Sequence, residues 1–166
     1  MGTTTDLRRA LKTGYFAELR GLGFDIDQRH APSFIDFRRF KGDRVEFISI
    51  QWEKSGRPRF KLSFGAASIK GTLAHGKHVR PEDIDPGSAP TYCCIYPTGD
   101  GSSTRHWFRQ DRSLWQFLLG RSRLRPAEEV LADLRRLHPQ VDDYLRTGSI
   151  GANCRLDNNA WAANAA

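Results

Sequence analysis

The stretch VEFISIQWEKSGRPRFKLSFG, residues 45–65, sets Ser49, Gln51, Lys61 and Ser63 among strongly apolar residues. If the segment is a β-hairpin, side chains two apart share a face. Two hydroxyls, an amide and an ammonium would then stand together on neighbouring strands. That is the composition of a recognition surface for a polar ligand, or of the wet side of a sheet.

Other residues with chemical potential form weaker patterns. His75 and His78 lie three apart in a glycine-rich stretch, followed by Glu82, Asp83 and Asp85. They would hold a metal only if the chain folded back to bring several ligands within ~2.0–2.2 Å of one ion, so a solvated loop is the default. PTGDGSSTRH, residues 97–106, offers backbone N–H groups but lacks the lysine and spacing of a phosphate loop and the dinucleotide fingerprint. Cys93 and Cys94 point to opposite faces if they lie in a strand. A nucleophilic role for either needs an activating base, and His106 is near in sequence only. Glu128-Glu129 and Asp142-Asp143 are adjacent on presumed helices, where neighbours in sequence do not face each other. No GxSxG elbow, HExxH or CxxC occurs. These observations call for no catalytic residue, metal or cofactor.

The chain has 166 residues and a net charge of +7, with 39% apolar and 27% charged residues. The length fits one domain with a core large enough to need no staples. No apolar run approaches the ~20 residues of a membrane helix, and the N-terminus lacks a signal core. The expected location is cytoplasmic, without membrane contact. Three cysteines give neither a disulfide framework nor a zinc pattern. The positive charge permits attraction to nucleic acid without requiring it.

The elements that would position the polar set follow from periodicity. Thr5 or Asp6 caps a first helix with Leu7, Leu11, Tyr15, Leu19 and Leu22 at helical spacing, stopped by Gly21 and Gly23. Gly42-Asp43 fits a type II′ hairpin turn, which sets Phe37 against Ile48, Ile35 against Ile50 and Arg39 against Glu46. A turn centred on Gly56 sets Trp52 against Phe60, Ile50 against Leu62, Gln51 against Lys61 and Ser49 against Ser63. A slip of one residue would mix the apolar and polar sets, so the pattern specifies this register. Residues 69–90 read as a long irregular stretch, 91–96 as a fourth strand, and the region of residues 105–110 as a further strand. A short helix is expected over 114–120, capped by Asp111 or Ser113. A last helix starts at Pro126, with Pro139 breaking or bending it. Residues 151–166 read as a loosely held tail, with Trp161 its one anchoring side chain.

The order of these features resembles the domain-of-unknown-function family numbered 4304. The resemblance rests on LGF at 22–24, ISIQ at 48–51 with Ser55 following, FKLSFG at 60–65, DRSLWQF at 111–117 and a closing helix to about Leu145. It spans roughly residues 7–146. The chain departs from that pattern in carrying Ser63 in place of asparagine and WEK between Gln51 and Ser55. The resemblance implies an α+β fold in bacterial-type proteins and no activity.

The expected fold is therefore α+β: a four- to five-stranded antiparallel sheet with N- and C-terminal helices packed on one face, forming a single domain over residues 1–150. The leading function is a non-catalytic binding module whose open polar sheet face presents Asp36, Arg38, Ser49, Gln51, Lys61 and Ser63 to a small ligand or partner protein. The first alternative is a nucleic-acid-binding protein, with the basic segments RRFKGDR and GRSRLRP contacting phosphates and Phe40, Phe47 and Tyr92 stacking bases. The second is an enzyme with a site near residues 69–90.

Overall fold

The computed structural model describes residues 3–27, 33–97, 107–111, 124–158 and 162–164. The chain opens with two helices, α1 (Thr3–Thr13) and α2 (Tyr15–Gly21). Leu7, Leu11, Tyr15, Phe16 and Leu19 form their buried stripe. The periodicity reads as one helix starting at Thr5 or Asp6; instead the helix starts at Thr3 and breaks at Gly14. A Cβ on Gly14 would stand 3.1 Å from Leu131 Cδ2 and 3.0 Å from Arg135 Nη2, so the break lies where the last helix crosses. The end of α2 is a Schellman motif. Gly23 has φ +83°, its N–H donates to Arg20 O, and Phe24 N–H donates to Leu19 O. Phe24 then packs into the core.

Strands β1 (Asp25–Asp27), β2 (Phe34–Lys41), β3 (Arg44–Trp52) and β4 (Arg59–Ser68) follow. Gly42 has positive φ and Asp43 does not, as a type II′ turn requires. The pairings Phe37–Ile48, Ile35–Ile50, Arg39–Glu46, Ile48–Phe64, Ile50–Leu62 and Trp52–Phe60 are those the alternation specified. β7 (Thr91–Ile95) and β8 (Phe108–Arg109) pair with different parts of β4, and β9 (Cys154–Asn158) pairs with β7. The sheet has seven strands in the order β1-β2-β3-β4-β7-β9, with β8 beside β4. It is antiparallel and wider than expected, because short strands are added at its margins.

Helix α3 (Ala127–Thr147) closes the core side. Val130, Leu131, Leu134 and Leu137 are buried before Pro139, and Val141 and Leu145 after it. The helix runs through the proline, although an interior proline costs about 3 kcal/mol. The continuous buried stripe offsets the lost hydrogen bond. Together the helices cover Phe37, Ile48, Ile50, Leu62 and Phe64. On this face Glu46 is fully buried, held by Arg39 Nε at 2.6 Å and Arg44 Nη2 at 2.8 Å.

Two segments differ from their sequence reading. Residues 69–90 fold into β5 (Thr72–Ala74), β6 (Lys77–Val79), a 3-10 turn (Pro81–Asp83) and a tight turn at Asp85–Ser88. His75 and Gly76 both have positive φ, the pattern of a type I′ hairpin turn, and His75-Gly76 escaped the sequence reading because histidine is uncommon there. The C-terminal segment, expected as a loose tail, supplies β9 and β10 (Ala162–Asn164), the latter pairing with β5. Asn153 secures it, with its N–H donating to Gln140 Oε1 and its Nδ2 to Tyr96 O, both at 2.9 Å. The helix expected over 114–120, the turn after residue 97, His106 and Trp161 lie outside the described residues. No described helix is long and apolar enough to cross a membrane.

Candidate functional site

Positions 36, 38, 47, 49, 51, 61, 63 and 65 of β2, β3 and β4 face away from the helices, as the register requires. This outer face is not uniformly open. Toward one end, Val45, Phe47 and Ala67 are buried beneath Ile84 and Ala89, with Val79 and Tyr92 packed alongside. The folded 69–90 segment therefore seals the aromatic end of the face. Phe47 is not available to stack a base, which corrects its proposed role in nucleic-acid contact. Phe40 remains 57% exposed.

The other end of the face forms a cavity of about 660 Å³. Asp36, Ser49, Gln51, Lys61 and Ser63 all line it, from three successive strands. Tyr92, Cys94 and Tyr96 add the wall from β7 and its end, Asp157 comes from β9, and the Asp85-Pro86-Gly87 turn closes one side. Five of the six candidate residues named from the sequence are thus brought together. Arg38 is not among the lining residues. It is 5% exposed, donates from Nε to Ile84 O at 2.7 Å, and pairs through Nη1 with Asp27 at 2.6 Å. Its Nη2 stands 3.9 Å from Asp36. Arg38 fastens the covering segment to the sheet rather than meeting solvent.

The polar groups of the cavity differ in how they are engaged. Ser49 is only 4% exposed and lines the cavity from β3. Ser63 Oγ lies 3.3 Å from Cys94 Sγ, and Cys94 lies 3.8 Å from Asp157 Oδ2. Lys61 Nζ lies 4.7 Å from the centre of the Trp107 ring. Asp85 receives the Ser88 N–H at 2.9 Å and so fixes the turn that forms the rim.

The cysteines separate as the strand alternation specifies: Cys93 is in the core and Cys94 faces the cavity. Burial pushes the Cys93 thiol up to about 12. Burial also raises the Cys94 thiol, helped by the Asp157 carboxylate and opposed by the bond to Ser63 and the charge of Lys61. The thiolate is disfavoured at neutral pH, the reverse of what an attacking cysteine requires. Among the described residues, no histidine lines the cavity.

The histidine-rich segment places His75 and His78 on the β5–β6 hairpin, with His78 Nε2 2.8 Å from Lys70 O. No cluster of three or more His, Cys, Asp or Glu side chains able to hold a metal occurs among the described residues. Tyr96 and Asp157 were missed in sequence, and Tyr92 and Cys94 were named there only for base stacking and for nucleophilic attack. A register for β7 against β4 would have placed Cys94 beside Ser63, but nothing local fixes a pairing across 31 residues. No family model, curated protein or solved structure matches the chain.

Proposed function

We propose that the protein is a non-catalytic binding module that holds a small polar ligand in the outer-face cavity. The observation that carries this reading is the convergence of Asp36, Ser49, Gln51, Lys61 and Ser63 on one concave space. Its volume lies within the ~300–1,000 Å³ usual for small-molecule sites. Donors and acceptors mounted on adjacent strands are rigidly placed, which favours specific recognition. The raised Cys94 thiol favours binding over nucleophilic turnover at that residue. The resemblance to the 4304 family carries no activity and leaves this reading unchanged.

Nucleic-acid binding draws support from the net charge of +7. Against it, the arginines of RRFKGDR are engaged internally: Arg38 by Asp27 and Ile84, Arg39 and Arg44 by Glu46. Binding to mixed DNA and RNA oligonucleotides that weakened steeply with salt would favour that alternative.

The test of the cavity is a ligand-observed screen of small polar fragments, repeated on Gln51→Ala/Lys61→Ala. The double variant should unfold at nearly the wild-type temperature, because both side chains are partly exposed. Its fragment affinities should fall roughly tenfold, the loss of one to two hydrogen bonds. Equal binding by wild type and double variant would reject the cavity as the site.

A further inference from the structure

The seven-stranded sheet ends at β1 on one side and at β9 on the other. An edge strand presents unpaired N–H and C=O groups that can take up another strand, and proteins often guard such edges with charge. The two edges are guarded differently. β1 reads Asp25-Ile26-Asp27, so an antiparallel second copy centred on Ile26 sets Asp25 against the partner's Asp27. Like charges directly opposite each other repel. β9 reads Cys154-Arg155-Leu156-Asp157-Asn158. A second copy centred on Leu156 sets Arg155 against the partner's Asp157, and Asp157 against the partner's Arg155. The strand is therefore complementary in charge to itself about a two-fold axis.

The backbone has the matching phase. Tyr96 N–H donates to Asn153 O at 2.8 Å, one step beyond the Ile95–Cys154 pair. Along an antiparallel ladder, hydrogen-bonded and non-hydrogen-bonded pairs alternate. Arg155 and Asp157 therefore turn their N–H and C=O toward β7, and Leu156 turns its own to the open edge. Two copies centred on Leu156 exchange N–H···O=C bonds between their Leu156 residues. Arg155 and Asp157 then fall at the neighbouring non-hydrogen-bonded pairs, where Cα atoms stand only ~4.5 Å apart and side chains lie closest. Arg155, Leu156, Asp157 and Asn158 are all exposed, the apolar Leu156 at 42%. Arg155 lies 5.6 Å from the Tyr96 ring and Asp157 3.8 Å from Cys94 Sγ, and neither has an ion-pair partner among the described residues.

We infer that β9 is the pairing edge of a homodimer, in which the two β9 strands run antiparallel about Leu156 and join the two sheets into one. Asp157 lines the outer-face cavity, so the partner's Arg155 stands at the cavity wall beside it. The pairing holds whether or not the cavity takes a ligand. β9 is five residues long, so the interface is small and the dimer is weak and concentration-dependent.

Sedimentation equilibrium of the full-length protein from ~10 μM to ~1 mM tests the pairing, in salt of ~0.15 M to screen the repulsion between two chains of charge +7. Wild type should pass from monomer toward dimer across that range. Arg155→Glu and Asp157→Arg each place like charges at both cross-strand pairs and should weaken the dimer about tenfold. Mixed in equal amounts, the two variants place opposite charges at both pairs again, and the mixture should dimerise like wild type. Both positions are exposed, so each variant should keep the circular dichroism of the wild type. In wild type alone, hydrogen exchange at the Leu156 amide should slow about threefold or more as the dimer fills. Wild type that stays monomeric to ~1 mM would overturn the inference and leave the edge to a strand of another protein. A dimer untouched by either charge reversal, or one that leaves Leu156 exchange unchanged, uses another surface and overturns it as well. A mixture that stays monomeric would refute the two-fold register about Leu156.

Discussion

Replacing Gly65 with alanine tests the sealed end of the outer face. Gly65 pairs with Phe47, and a Cβ there would stand 2.7 Å from Phe47 Cζ, 2.9 Å from Cε1 and 3.0 Å from Thr91 O. Phe47 has little room to yield, because Val45, Ala67, Ile84 and Ala89 surround it. Overpacking of this kind costs about 1–3 kcal/mol. Removing a strand glycine returns about 0.5–1 kcal/mol through lower unfolded-state entropy. The net expectation is a loss of about 1–2 kcal/mol, or a fall in Tm of about 2–8 °C at this chain length. Thermal unfolding followed by circular dichroism, with urea titration alongside, reads the change. Phe47→Leu frees space above Gly65, so the two substitutions together should cost about 1 kcal/mol less than their sum. Gly21→Ala, whose new methyl meets nothing within 4 Å, should be neutral or slightly stabilising and serves as the control. A Gly65→Ala protein at or above wild-type Tm would show that Ile84 and Ala89 do not press Phe47 onto the sheet.

Glu46→Gln should cost about 3 kcal/mol in urea titration, since it leaves Arg39 and Arg44 without their buried carboxylate. Near-neutral behaviour would show that the pair is not structural. His138 packs against Tyr15, whose hydroxyl lies 2.8 Å from Nδ1, and Asp142 lies 3.5 Å from Nε2; Glu18 and Arg39 also act on it. Burial lowers its pKa below the ordinary 6.5 despite the Asp142 and Glu18 charges. The unfolded chain therefore binds this proton more readily, and stability should fall as pH drops through about 6.5 and below. Urea midpoints at pH 7 and 5 should converge in His138→Gln relative to wild type, and an unchanged difference would refute the assignment. Alkylation at pH 8 mapped by mass spectrometry should label Cys94 roughly tenfold or more slowly than a free cysteine. Cys93 and Cys154 should label only after unfolding, because both are buried; rapid native labelling of Cys93 would contradict its place in the core.

Much of the core sheet was legible because its information is local. Two short turns, Gly42-Asp43 and the loop around Gly56, fix the alignment of β2, β3 and β4. The alternation of Ile48, Ile50, Leu62 and Phe64 with Ser49, Gln51, Lys61 and Ser63 then leaves one register that keeps the apolar set together. The stop at Gly23 and the stripe of the last helix were readable for the same reason. The sequence by itself therefore placed five of the cavity's side chains on one side of the sheet.

What it did not decide was what lies over that side. The outer face is polar at Ser49 and aromatic at Phe47, and alternation alone does not distinguish a solvated surface from one half-covered. The decision falls to contacts remote along the chain: Arg38 bonded to Ile84 O, β7 brought beside β4, and β9 held by the Asn153–Gln140 pair. Each closes a long loop whose entropy must be repaid by burial elsewhere, so no short stretch of residues carries its signature. Tertiary structure thus spent Arg38 internally, buried Phe47, and turned an expected open platform into a walled cavity.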